Sequence, residues 1–195
     1  MPRFPQLQFA LPEWVEAFVP SPEEVFSRPE DRMRLVIELA RRNVAECTGG
    51  PFGAAIFDLD RHTLIAPGIN LVVASGYSWA HAEMVAFSIA QLVLGTHDLG
   101  DEGMPRCELV TSVEPCAMCF GATPWSGVRQ VICGARDNDA RAIGFDEGPK
   151  VDDWSAALES RGIKVLVDIL QEEASQVLQD YAAKGGPIYN ARGGG

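Results

Sequence analysis

Positive charge is what this sequence most conspicuously lacks. Its 195 residues hold 16 lysines and arginines against 27 aspartates and glutamates, a formal net charge of -11. Affinity for nucleic acid comes largely from Lys and Arg neutralising phosphates, so such a chain repels polyanions; a small neutral substrate is expected and nucleic acid is not. Long apolar runs are missing as well. No stretch approaches the roughly 20 apolar residues that span a bilayer, and Met1-Pro2-Arg3-Phe4-Pro5 has no secretory apolar segment. The expectation is a cytoplasmic protein with no membrane partner. Cysteine is scarce and odd in number: Cys47, Cys107, Cys116, Cys119 and Cys133 indicate no disulfide framework. Internal repeats and low-complexity segments are absent too.

With 47% hydrophobic residues, the chain is long enough for one domain with a sizeable core. Six of the thirteen prolines fall at positions 2, 5, 12, 20, 22 and 29, which rules out one long helix there. Residues 1–29 therefore read as an arm carrying short helices, one of them capped at Ser21-Pro22-Glu23-Glu24. Residues 30–186 read as the main domain, and 187–195 as a tail. Met33, Val36, Ile37, Ala40 and Val44 form the stripe of an amphipathic helix. Phe52–Asp58 and Leu64–Val73, the second broken at Pro67-Gly68, read as a hairpin, and His81–Leu94 reads as a buried helix stopped by Gly95. Cys107–Ser112, Cys116–Ser126 and Gln130–Ala135 make a strand-helix-strand unit, which implies parallel strands. Residues 136–151 show no period and are expected to be a loop at a strand's C-terminal end, where ligands commonly bind in α/β sheets. A fifth strand at Ile163–Val167 and a helix at Ile169–Lys184 complete the pattern.

The chemistry lies in His81-Ala82-Glu83 and Glu114-Pro115-Cys116-Ala117-Met118-Cys119. Proline suits the first position of a helix, which places both thiols on a helix N-terminus, where unpaired N–H groups favour thiolates. His81 stands at the start of another helix. Three ligands, His81, Cys116 and Cys119, leave one position of a tetrahedral zinc ion open, whereas structural zinc usually has four protein ligands. An open position admits water, zinc lowers its pKa to about 7, and Glu83 can move its proton. One alternative is a closed structural site with His62, His97, Cys107 or Glu83 as fourth ligand, in a non-catalytic zinc-stabilised interaction protein. Another is a redox Cys-x-x-Cys pair. Cys47, Cys107 and Cys133 are expected to pack as small buried hydrophobes.

These motifs resemble the zinc-dependent cytidine-deaminase superfamily, whose signature is His-x-Glu with Pro-Cys-x-x-Cys. The resemblance runs from about Pro51 to Phe145 and implies a three-layer α/β/α sandwich around a five-stranded mixed sheet, with one Zn2+ per chain. Pro51-Phe52-Gly53-Ala54 and Gly134-Ala135-Arg136-Asp137 are also similar to tRNA adenosine deaminases. Gly144-Phe145-Asp146-Glu147, with Trp125, resembles bacterial guanine deaminases of this fold, although those often carry aspartate where Glu147 stands. The likeness implies that Asn70 and Ala82 contact the substrate, Phe52 and Trp125 enclose the ring, and Glu147 with Asp146 meets the amino side, where Glu147 is expected to act as a second catalytic carboxylate that helps proton transfer to the leaving ammonia. It further implies that Tyr189 in the tail closes the site. The activity so implied is deamination of guanine to xanthine and ammonia by a homodimer, with exchanged terminal segments one form of it. Aminated triazines such as ammeline are further substrate candidates, and nucleoside or tRNA deamination is the alternative.

Overall fold

The structure is a computed structural model and describes residues 3, 4, 6, 7 and 9–190. Residues 191–195, most of the tail, lie outside the described residues. Along the chain come α1 (Glu13–Phe18), α2 (Pro29–Ala45), β1 (Gly53–Asp58), β2 (Leu64–Ile69), α3 (Val72–Ser75) and α4 (Ala82–Leu94). β3 (Cys107–Val113), α5 (Ala117–Ser126), β4 (Gln130–Ala135), α6 (Asp137–Ala142), α7 (Trp154–Glu159), β5 (Lys164–Leu166) and α8 (Gln171–Ala183) follow. The sheet has the order β2-β1-β3-β4-β5. β1 is antiparallel to both neighbours, whereas β3, β4 and β5 are parallel. The expected three-layer sandwich around a five-stranded mixed sheet is therefore what forms.

Side chains of a strand alternate between faces, and here each face has its own helices. Ala55, Phe57, Val110 and Ile132 pack under Met33, Val36 and Ile37 of α2 and Ala174, Val177 and Leu178 of α8. Ala54, Ile56, Leu109 and Val131 pack under Ala82, Ala86 and Ala90 of α4 and Trp154 and Leu158 of α7. The arm adds a smaller cluster in which Val15 of α1 meets Leu39, Ile69, Leu71 and Val85. Among the described residues no helix is long and apolar enough to cross a membrane.

Several local expectations are corrected. Pro67 does not break β2, because β2 is an edge strand and proline is tolerated there; the strand ends at Ile69 and Val72–Ser75 turns helical. Ser21–Glu24 forms a turn, not a helix start, because Val25 bridges to Thr63 and Phe26 N–H donates to the carbonyl of His62. The loop expected at 136–151 contains α6, held by the Arg136 N–H donating to Asp139 Oδ2 at 2.8 Å and by an Arg141–Asp137 pair one turn apart. Trp154–Glu159 forms a helix that no periodicity announced. Pro115 precedes the helix it was expected to open, since Cys116 is the N-cap. Cys107 and Cys133 are buried, but Cys47 is exposed just past the end of α2.

At the end of the sheet remote from the cysteine turn, a charge pair is buried. Arg32 Nε lies 2.5 Å from Glu108 Oε1, Arg32 Nη1 donates to the carbonyl of Phe26 at 2.6 Å, and Gln130 Nε2 donates to Glu108 Oε2 at 2.8 Å. Burial pushes the Glu108 carboxyl upward against the opposing pull of Arg32. Removing one partner leaves the other charge stranded. Arg32→Met should lower stability by about 3–5 kcal/mol, and Arg32→Met with Glu108→Leu should recover most of it. Urea denaturation midpoints of the three proteins check this.

Candidate active site

Two helices begin at one point, and this brings the metal donors together. His81 is the N-cap of α4 and Cys116 the N-cap of α5, and neither side chain caps its own helix. Both are thus free to face outward, and His81 Nδ1 lies 3.4 Å from Cys116 Sγ. Cys119, in the first turn of α5, completes a set whose donor atoms all lie within 4.8 Å of one another. Among the described residues no fourth His, Cys, Asp or Glu joins the set. Cys107 starts β3 at the opposite end of the strand from Cys116, and His62 lies in the turn between β1 and β2. None of His62, His97, Cys107 or Glu83 therefore closes the site.

The charges in this space are strongly coupled. A hydrogen bond from Cys119, joined by the imidazole of His81, holds the Cys116 thiol down at about 4 against the cost of burial. The same bond pushes Cys119 well above the usual thiol range. Burial alone would depress His81, but its bond to Cys116 and the charges of Cys116, Glu83 and Glu147 leave it raised. Glu83 is buried and pushed up to about 7, first by burial and then by the Cys116 charge, with His81 opposing. Glu147 is pushed up to about 8 by burial and by the charges of Cys116, Glu83 and Asp137, with Lys150 opposing. Ionising either carboxyl beside the three donors is thus opposed by burial and by the charge of Cys116.

A cavity of about 340 Å³ opens onto this cluster, a volume within the range of small-molecule sites. Phe52, Asn70, Asp146, Glu147 and Tyr189 line it together with His81, Glu83 and Cys116. Asn70 is held at the end of β2 by its N–H, which donates to the Phe52 carbonyl at 3.1 Å. Its Oδ1 accepts from the Val72 N–H at 3.2 Å, so the amide is oriented with Nδ2 left to donate elsewhere. Ala82, first in α4, is fully buried and off the cavity wall. Trp125 is not in the cavity. It stands six residues beyond Cys119, about 240° round the helix, and is 85% exposed on the outer side of α5.

Phe145 was legible only as part of a motif, yet it is the hub of the aromatic wall. Its ring lies 4.9 Å from Phe52, 5.0 Å from Tyr189 and 6.1 Å from Tyr181. Val72, Ser78 and Asn190 also line the cavity without a signal in the sequence. The loop bearing Glu147 is stitched to the metal helix: Ala117 N–H donates to the Glu147 carbonyl at 2.9 Å, and Lys150 Nζ to the Pro115 carbonyl at 3.0 Å. Asn190 clamps the same loop from the tail, accepting from the Asp146 N–H and donating to the Gly144 carbonyl, each at 2.9 Å.

Comparison with known proteins agrees with this geometry. The model of the cytidine and deoxycytidylate deaminase zinc-binding region matches residues 27–135. Guanine deaminase of Bacillus subtilis is 36% identical over 157 residues, 80% of this chain and 96% of that protein. A tRNA-specific adenosine deaminase of Haemophilus influenzae is 32% identical over 156 residues, 80% of this chain and 83% of that one. Among solved structures, guanine deaminase from Nitrosomonas europaea superposes with a TM-score of 0.86 at 48% identity, covering 94% of this chain and 98% of that one. A structure of the protein NE0047 with 2,6-diaminopurine bound gives a TM-score of 0.87 at 51% identity, covering 96% and 98%. On matched residues, fold and donor set alike, the chain belongs to the cytidine and deoxycytidylate deaminase family with its zinc-binding region.

Proposed function

We propose that this chain is a guanine deaminase, a zinc-dependent hydrolase that converts guanine and water to xanthine and ammonia. The observation that carries the reading is Glu147, a buried carboxyl that shares the cavity with His81, Glu83 and Cys116. A flat heterocycle bearing an amino group needs an acceptor on its donor edge, aromatic faces beside it, and a proton carrier at the reacting carbon. The cavity holds all three.

The donors suit zinc in kind and number, since thiolates and imidazole favour it and three ligands leave one position open. A divalent cation there would favour the ionised forms of Glu83, Cys119 and Glu147 that burial and neighbouring charge oppose. When bound, zinc supplies Lewis-acid activation of water at neutral pH. Glu83 then takes the proton that water releases and delivers it to the ring nitrogen beside the amino-bearing carbon. Glu147, with Asp146, accepts hydrogen bonds from the amino side of the ring, and Asn70 donates Nδ2 to a purine acceptor. The N–H of Ala82, in the first turn of α4, is a further donor to the substrate. Phe52 holds the ring on one side, and Tyr189 closes the cavity from the tail.

The finer organisation belongs to the same proposal. Residues 30–186 form the deaminase domain, the arm of residues 1–29 braces it, and the tail from 187 caps the site. A homodimer fits the outer layer of α4 and α5, where Leu92, Val93, Met118 and Trp125 stand in solvent. A reducing cytoplasm suits a chain with five free thiols. The likeness to the Haemophilus enzyme favours a second reading, a tRNA or nucleoside deaminase. The net charge of -11 and the acidic cavity speak against a polyanionic substrate.

Four outcomes are expected. The protein should carry one zinc per chain by atomic absorption, lost in Cys119→Ala and kept in His62→Ala, His97→Ala and Cys107→Ala. Ammonia release should be seen with guanine when guanosine, adenine, cytidine, ammeline and a tRNA anticodon stem are offered in parallel; release from the RNA alone would favour the second reading. Glu83→Gln should keep its zinc and lose about 10²–10⁴-fold in kcat. Glu147→Gln should chiefly raise KM for guanine. Full turnover in Glu83→Gln would remove it as the proton carrier.

A further inference from the structure

Asn43 sits where an amphipathic helix ordinarily carries an apolar residue. It lies on the buried face of α2, is fully inaccessible, and does not line the cavity. An amide in such a place is costly unless its polar groups are met. Its Nδ2 donates to the carbonyls of Gly50 at 2.9 Å and Asn70 at 2.8 Å, and its Oδ1 accepts from Thr48 Oγ1 at 2.7 Å. Thr48 Oγ1 in turn accepts from Trp14 Nε1, on α1 of the arm, at 3.1 Å. One side chain therefore grips two main-chain carbonyls far apart in sequence, and one of them belongs to Asn70.

These bonds close a ring. Phe52 N–H donates to the Gly50 carbonyl at 2.9 Å, and Asn70 N–H donates to the Phe52 carbonyl at 3.1 Å. Asn43 to Gly50 to Phe52 to Asn70 and back to Asn43 is a circuit that holds two residues of the cavity wall at a fixed separation. Only glycine fits at position 49: a Cβ there would stand 1.9 Å from the Asn70 carbonyl oxygen and 2.6 Å from Asn43 Nδ2.

We propose that Asn43 is a positioning residue for substrate recognition, setting the depth of the Asn70 amide in the cavity, while Thr48 and Trp14 fix the direction of Asn43's own amide. Asn43 touches no substrate and acts through Asn70. The inference rests on the guanine-deaminase reading.

The test is steady-state ammonia release from guanine by the zinc-loaded full chain, run as a double-mutant cycle with thermal midpoints recorded alongside. Asn43→Ala should raise KM about tenfold, the scale of one lost hydrogen bond, with kcat changed less than about twofold. In an Asn70→Ala background the same substitution should raise KM less than about twofold, because the group it positions is gone. Thr48→Val leaves Asn43 Oδ1 without its donor; it should raise KM about threefold and lose that effect in the same background, and it serves if Asn43→Ala does not fold. Equal KM penalties in both backgrounds, or a lowered thermal midpoint with unchanged KM, would overturn the positioning role. Failure of the unsubstituted enzyme to release ammonia from guanine would instead overturn the functional reading, and the inference with it.

Discussion

Three donor atoms must meet within 4.8 Å, and they come from two helices that are not neighbours in sequence. That requirement dictates much of the rest. β3 must end where Cys116 can cap α5, and α4 must start beside it, so both helix N-termini face the same edge of the sheet. Neither N-cap position can be filled by Ser, Thr, Asp or Asn, the residues that ordinarily satisfy the free N–H groups there. The local deficit is made good by what gathers in front of the helices: thiolate character at Cys116 and carboxyls at Glu83 and Glu147. A metal ion that binds only the assembled set also stabilises the assembled fold.

The three donors and the loop bearing Glu147 are mechanically one piece. Glu147 shares a main-chain hydrogen bond with Ala117 in the first turn of the cysteine helix, so its distance from the donors is set by backbone, not by a flexible side chain. Behind it, Glu114 accepts from Arg136 Nη1 at 2.8 Å and from the Asp137 N–H at 3.2 Å, anchoring the strand end that leads into the cysteines. Arg136 also pairs with Asp168, just beyond β5, which ties three successive parallel strands together on the site's side of the sheet.

Spacing made the metal set legible. His-x-Glu and Cys-x-x-Cys are local patterns, and the first stands at the start of a run that is apolar nearly all round and stops at Gly95. The sheet was legible for the same reason. Trp125 shows where a borrowed motif loses force: its neighbourhood in the sequence is right, but helix geometry turns it away from the cavity. α6 was illegible because its stability comes from one capping carboxylate and from the ion pairs of Asp137 with Arg141 and Lys150, not from an apolar stripe. Asn43 was missed, and Phe145 read only as part of a motif, for a deeper reason. Their importance comes from partners across the fold, rings at 4.9 and 5.0 Å in one case and two distant carbonyls in the other, and no local pattern encodes that.

Pro67 also governs what the sheet can do beyond its own five strands. It sits in the edge strand β2 opposite Ala55 and has no N–H to offer. The opposite edge, β5, is only three residues long and begins with the exposed Lys164. A continuous ladder cannot be extended from either side, so another chain cannot add itself strand by strand. The route that most often leads edge strands into fibrous aggregates is thereby blunted at both ends.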